Sequence, residues 1–149
     1  MIWTPRVTVA AIIEQEHRFL LVEELIDGKT IFNQPAGHLD NGESLVQAVV
    51  RETLEETGRQ FQPTAIIGLY RWRQVERDIT FLRLCFTGEV VAYNPQQPLD
   101  DGILGTVWLT RDEVAARHSQ LRSPLVLRCI DDYLAGDRFP LALYHDADL

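Results

Sequence analysis

A chain of 149 residues with 46% apolar side chains has the size and composition of one ordinary globular domain able to bury a core. Its formal net charge of -8 excludes broad binding to nucleic acid polymers or anionic membranes, which requires a basic surface, so an anionic substrate must be met by local cations or by bound metal. The apolar run from Val7 stops at Glu14, far short of the roughly 20 residues that cross a bilayer.

The opening MIWTPRVTVA lacks the basic start, apolar middle and small-residue cleavage site of a secretory signal, and a cytoplasmic location is expected. Alternating β-branched residues predict strands over 6–13 and 18–24, joined by a turn at the polar EQEH. DGKT at 27–30 resembles the tail of a phosphate-binding P-loop, but that motif needs a glycine where Glu23 stands, so the segment reads as a turn. A short strand near TIFN leads into QPAGHLDNGE, rich in loop formers. A helix is predicted from Glu43 or Ser44 to Thr57, with Gly58 in the place of a C-terminal cap. Strands follow at about 63–73 and 79–91, then the proline-bearing AYNPQQPLDDG and a strand at GTVWL. TRDE from Thr110 fits a capping box opening a short helix, while Ser123-Pro124 opens another that Gly136 closes. Cys85 and Cys129 lie in apolar runs without CxxC spacing and read as core residues. With no internal repeat or linker, the expectation is one α/β domain over residues 1–149, a mixed sheet flanked by helices.

The helix carries an awkward stretch, RETLEETG, in which Glu52, Glu55 and Glu56 crowd within one turn and a half. At about 100° per residue, Val46, Val50, Thr53, Leu54 and Thr57 share one sector, which is expected to face the core. Glu55 lies about 60° to one side of Glu52 and Glu56 about 40° to the other, so the three carboxylates share another face. Like charges so spaced repel by a few tenths of a kcal/mol each, and more if partly desolvated. A solvated acidic face is one reading; the other is a divalent cation held by hard oxygen ligands.

The surrounding residues fill the pattern G-x5-E-x7-R-E-x-x-E-E-x-G from Gly37 to Gly58, and here the sequence resembles the Nudix hydrolase family. Thr53 and Arg59 depart from the family's aliphatic preference at two positions that bear on packing. FNQPAGHLD before the box and LRSPLV at 121–126 are similar to the NudJ-type branch of phosphatases. The resemblance implies an α/β/α sandwich with a mixed central sheet and an enzyme cutting phosphoanhydride bonds of small molecules. In this branch those are nucleoside tri- and diphosphates and thiamine pyrophosphate or its pyrimidine precursor. The metal, Mg2+ or Mn2+, would be held by Glu52, Glu55, Glu56 and the backbone carbonyl of Gly37, where glycine allows close approach. It would neutralise charge on the phosphates and activate a water. Glu52 is the first candidate for general base; Asp100 or Asp101 in LDDG are the alternatives, and their ordinary reading is turn chemistry. Arg51 would orient the carboxylates, and Glu43 would serve the helix dipole and hold the loop. A Nudix-fold module that binds a nucleotide without cleaving it is the competing reading, and the chain is expected as a monomer or homodimer.

For substrate binding, LYRWRQVERD offers Tyr70 and Trp72 on one side of a strand and Arg71 and Arg73 on the other, with Arg83 as a further phosphate contact. Asn33, Gln34 and His38 flank the metal loop, and no HExxH motif accompanies the histidine.

Overall fold

Val9, Ala10, Ala11, Ile12 and Ile13 are all buried, so the first long strand meets core on both of its faces, as a strand between two helical layers must. The structure, a computed structural model, describes residues 1–147. Strands β1 (Arg6–Ile12), β2 (Glu14–Gln15), β3 (Arg18–Ile26), β4 (Lys29–Asn33) and β5 (Ala36–His38) precede helix α1 (Leu45–Thr57). Then come β6 (Arg59–Gln74), β7 (Ile79–Tyr93), β8 (Ile103–Thr110), α2 (Arg111–Ala116) and α3 (Leu125–Leu134).

One sheet has the order β5-β1-β7-β6; β1 and β7 run parallel and the other pairs antiparallel, so it is mixed as expected. β3 pairs antiparallel with β2, β4 and β8 in a second sheet. Successive residues of β1 alternate between the layers. Val9, Ala11 and Ile13 pack with Ala48 and Val49 of α1, whereas Ala10 and Ile12 join Val126, Cys129 and Ile130 of α3. The result is the α/β/α sandwich, with Cys85 and Cys129 free and buried in it.

The hairpin turns sit where the sequence places them. Glu16 and His17 (φ 51 and 65) join β2 to β3, and Asp27 and Gly28 (φ 51 and 74) join β3 to β4. Consecutive left-handed residues match the twist of the strands they connect, so DGKT is a hairpin turn and not a phosphate loop. Three expectations need correction. Ala36–His38, read as loop, pairs with β1 as β5, a strand too short to show alternation. β6 begins at Arg59, directly after the helix cap, and not near residue 63. The third concerns α1 itself.

Helix α1 has both ends fixed by its own sequence. Ser44 and Gln47 form a reciprocal capping box, and Gly58 takes the left-handed cap (φ 70) with its N–H on the Leu54 carbonyl. Its buried residues are Ala48, Val49, Thr53, Glu56 and Thr57, while Leu54 is exposed and Val46 and Val50 are half-buried. The core sector is therefore rotated by about 80° from the expected one, toward the glutamates. Thr53 and Thr57 tolerate burial because each hydroxyl donates to the carbonyl four residues earlier, at 2.8 and 2.6 Å.

Candidate active site

That rotation puts the acidic face at the seam between α1 and the sheet. Glu56 is 8% exposed, and Ala36 N–H in β5 donates to its Oε1 at 2.8 Å. Burial pushes this carboxyl up to about 9 against that hydrogen bond, with Glu52, Glu24 and Asp100 adding repulsion. Burial also raises Glu52, opposed by Arg51. Glu52 packs against Gly37 so closely that a Cβ there would overlap its carboxyl group.

Arg51 is the organiser. Its Nη1 donates to Glu52 Oε1 (2.9 Å) and Glu55 Oε2 (3.1 Å), its Nε to Glu43 Oε2 (2.9 Å), and its Nη2 to Glu43 Oε1 (2.6 Å) and the His38 carbonyl (3.0 Å). The hydrogen bond to Glu43 raises the arginine above its ordinary value and lowers Glu43 in return. Glu43 also accepts from Asp40 N–H, so it ties the glycine loop to the helix. One guanidinium fork thus spans two of the three box carboxylates and the loop that faces them. Arg51→Ala is expected to cost about 1–3 kcal/mol of stability, because charge-assisted hydrogen bonds are lost and like charges are left facing one another. Denaturant unfolding should show that loss, and saturating Mg2+ should recover part of it.

The sequence placed Glu55 and Glu56 alike beside Glu52, but the structure separates their surroundings. Glu52, Glu55 and Asp100 offer carboxylate oxygens all within 4.8 Å of one another. Asp100 N–H donates to the Glu55 carbonyl at 3.1 Å, which brings the 94–102 loop onto the helix. Asp101 is exposed beside Gly102 (φ 86), in plain turn geometry. The clustered oxygens of Glu52, Glu55 and Asp100, with Glu56 and the Gly37 loop beside Glu52, are all hard donors, and burial already disfavours the charge of Glu52 and Glu56, so the set fits a divalent cation.

Glu52, Glu56 and Gly37 line a cleft of about 450 Å3 together with Trp72, Phe81, Arg83 and Arg122. Arg83 is 6% exposed; its Nη1 donates to Gln34 Oε1 (2.9 Å) and its Nη2 to Asn33 Oδ1 (3.0 Å). Neither partner is charged. Trp72 stacks on Phe81 with centroids 5.6 Å apart and planes 17° from parallel. Trp72 lines the cleft, and Tyr70, packed against the same core cluster, is tied to Asp132 at 2.8 Å. Arg71 and Arg73 fall outside the cleft lining: both are exposed, and Arg73 pairs with Asp78 at 2.7 Å. Alternation along β6 puts both on the face opposite Trp72. His38 lines the cleft with its pKa lowered by burial and by Arg6 and Arg122. Sequence reasoning missed Glu24 and Arg122 there. LRSPLV was singled out, yet only the third dimension sets Arg122 3.9 Å from Glu24.

Comparison with known proteins agrees. The NUDIX domain family matches residues 4–129. Over 142 residues the chain is 43% identical to phosphatase NudJ of Escherichia coli K12, spanning 95% of this chain and 92% of that protein. NudJ of Shigella sonnei matches to the same extent. A solved NUDIX hydrolase from Nitrosomonas europaea is 47% identical with a TM-score of 0.94, covering 97% of this chain and 99% of that one. A MutT NUDIX hydrolase from Burkholderia pseudomallei, 18% identical with a TM-score of 0.74, shares the fold alone. Sandwich, acidic helix and arginine-bearing cleft together define a hydrolase of phosphoanhydride bonds. The chain belongs to the Nudix hydrolase family, whose members act on small molecules and generally use divalent metals.

Proposed function

We propose that residues 1–149 form one catalytic unit, a Mg2+-dependent pyrophosphohydrolase, also served by Mn2+, acting on a nucleoside tri- or diphosphate or a thiamine pyrophosphate-like substrate. The observation that carries this reading is the cleft itself, lined by Glu52, Glu56 and Gly37 together with two arginines and the stacked Trp72 and Phe81. Glu52, Glu55, Glu56, Asp100 and the Gly37 carbonyl would hold the cation. When bound, it supplies neutralising charge at the phosphate oxygens and acidifies a water for attack.

The chain's own groups do the rest. Glu52, fixed on one oxygen by Arg51, accepts the proton of the attacking water as the phosphorus–oxygen bond to the leaving phosphate breaks. Arg83, locked by two neutral amides and, among the described residues, without a carboxylate partner, is left to meet a substrate phosphate. Trp72 and Phe81 present apolar surface to the rest of the substrate. The cytoplasm, where such phosphates are made and used, suits this activity, and no helix among the described residues is long and apolar enough to cross a membrane.

The test is release of phosphate or pyrophosphate from a panel of nucleoside di- and triphosphates, thiamine pyrophosphate and dinucleotides, with Mg2+ and with chelator. Turnover that needs the metal supports the reading; binding without any turnover would leave a nucleotide-holding module in its place. Arg83→Lys keeps the charge but loses the fork, and is expected to raise KM about tenfold with a smaller change in kcat. A KM within twofold of the native value would remove Arg83 from substrate binding.

A further inference from the structure

Arg59 directly follows the motif's last glycine, where the family prefers an aliphatic side chain, yet it is only 8% exposed. Among the described residues it has no carboxylate partner within ion-pair distance. A buried cation without an anion must be held by something else. Its guanidinium carbon lies 4.0 Å from the centroid of the Tyr93 ring and 5.5 Å from that of Trp108. Nη1 donates to the Thr57 carbonyl (3.0 Å) and to Thr106 Oγ1 (3.4 Å).

These partners are distributed in a telling way. Tyr93 is the last residue of β7, while Thr106 and Trp108 belong to β8, and the two strands lie in different sheets without pairing to each other. The 94–102 loop hangs between them and carries Asp100. It rests on the end of α1: Asn94 N–H donates to the Gly58 carbonyl (2.9 Å), and Asp100 N–H to that of Glu55 (3.1 Å). The approach is tight enough that a Cβ at Gly58 would stand 2.6 Å from the Asn94 carbonyl oxygen. Arg59 is thus bound at once to the helix end, the strand before the loop and the strand after it.

We propose that Arg59 is a positioning residue for the acidic loop: by clamping Tyr93 and Trp108 to the end of the glutamate helix, it sets Asp100 against Glu52 and Glu55. An isoleucine would fill the space but could offer neither the hydrogen bonds to Thr57 and Thr106 nor a cation to the Tyr93 ring. The proposal rests on the metal-site reading above and extends it to a residue that contacts neither metal nor substrate.

The test uses Arg59→Ile, Arg59→Lys and Asp100→Asn, with Arg59→Ile/Asp100→Asn as the double variant. Tyr93→Leu, at a half-exposed ring, serves as a second probe should the isoleucine variant fold poorly. Mn2+ affinity is read by the paramagnetic resonance of free Mn2+, and the mobility of the 94–102 amides by hydrogen exchange, neither of which needs turnover. Arg59→Ile should weaken Mn2+ binding about tenfold and speed exchange at Asp100. Arg59→Lys should recover part of both, since an ammonium keeps the ring contacts. The double variant should bind no more weakly than Asp100→Asn alone, because the arginine acts through that residue. Unchanged exchange across 94–102 in both Arg59→Ile and Tyr93→Leu, or fully additive losses in the double variant, would overturn the proposal. Failure of the native protein to bind Mn2+ or to turn over any substrate would instead overturn the metal-site reading beneath it.

Discussion

Glu52→Gln is expected to lower kcat by about 10²–10⁴-fold while leaving the fold intact, the range typical for loss of a general base. The substitution keeps the shape of the side chain and an oxygen for Arg51 Nη1, so the local hydrogen bond survives. What it removes is the negative charge and the proton acceptor. Glu56→Gln should lower turnover by taking away a carboxylate that would hold the cation. Glu52→Gln takes a negative charge out of a crowded cluster, and Glu56→Gln puts a neutral amide where burial already pushes the carboxyl up to about 9. Metal-free unfolding in denaturant should therefore need at least as much denaturant as in the native protein. Loss of activity without loss of stability separates a catalytic role from a structural one. Near-native rates in both variants at saturating Mg2+ would sink the assignment.

Gly37→Ala is the second large effect, and its logic is steric. The added Cβ would fall on the Glu52 carboxyl, the far end of a side chain that can move by giving up its Arg51 hydrogen bond, and not on backbone. Stability should change little, whereas the carboxylate must leave its place. Displacing a reacting group by about an ångström costs on the order of 10²-fold in rate. Steady-state kinetics together with thermal unfolding check this, and an alanine variant with native kcat would show that Glu52 does not work from where the structure puts it.

The box was legible because its chemistry is local. Gly58 as helix cap, the three glutamates within a turn and a half, and Arg51 among them are all set by spacing on one helix, which the sequence states directly. The orientation of that helix was not. Periodicity favoured Val46, Val50 and Leu54 as the core face, but the sheet buries Ala48, Val49 and even Glu56, because a small residue permits close approach and a buried acid is tolerated for its site. Asp100 could be read as turn chemistry from LDDG; that it meets Glu52 and Glu55 depends on a loop crossing back over the helix end, a long-range contact with no local signature. Strand alternation did separate Trp72 from Arg71 and Arg73, yet which side faced the cleft followed only from the pairing of β6 with β7. Arg59 was noticed as a departure from pattern, and its ring partners, thirty and more residues away, gave it a meaning.

The central claim is that the end of α1 and the Gly37 loop hold a divalent cation at the mouth of the cleft. A crystal soaked in Mn2+ tests it most directly, because manganese takes the same oxygen ligands as magnesium and reveals itself by anomalous scattering. The expected result is an anomalous peak in direct contact with Glu52 and Glu56, absent from crystals of Glu56→Gln; a fully active enzyme whose manganese binds elsewhere, or nowhere, would contradict the account.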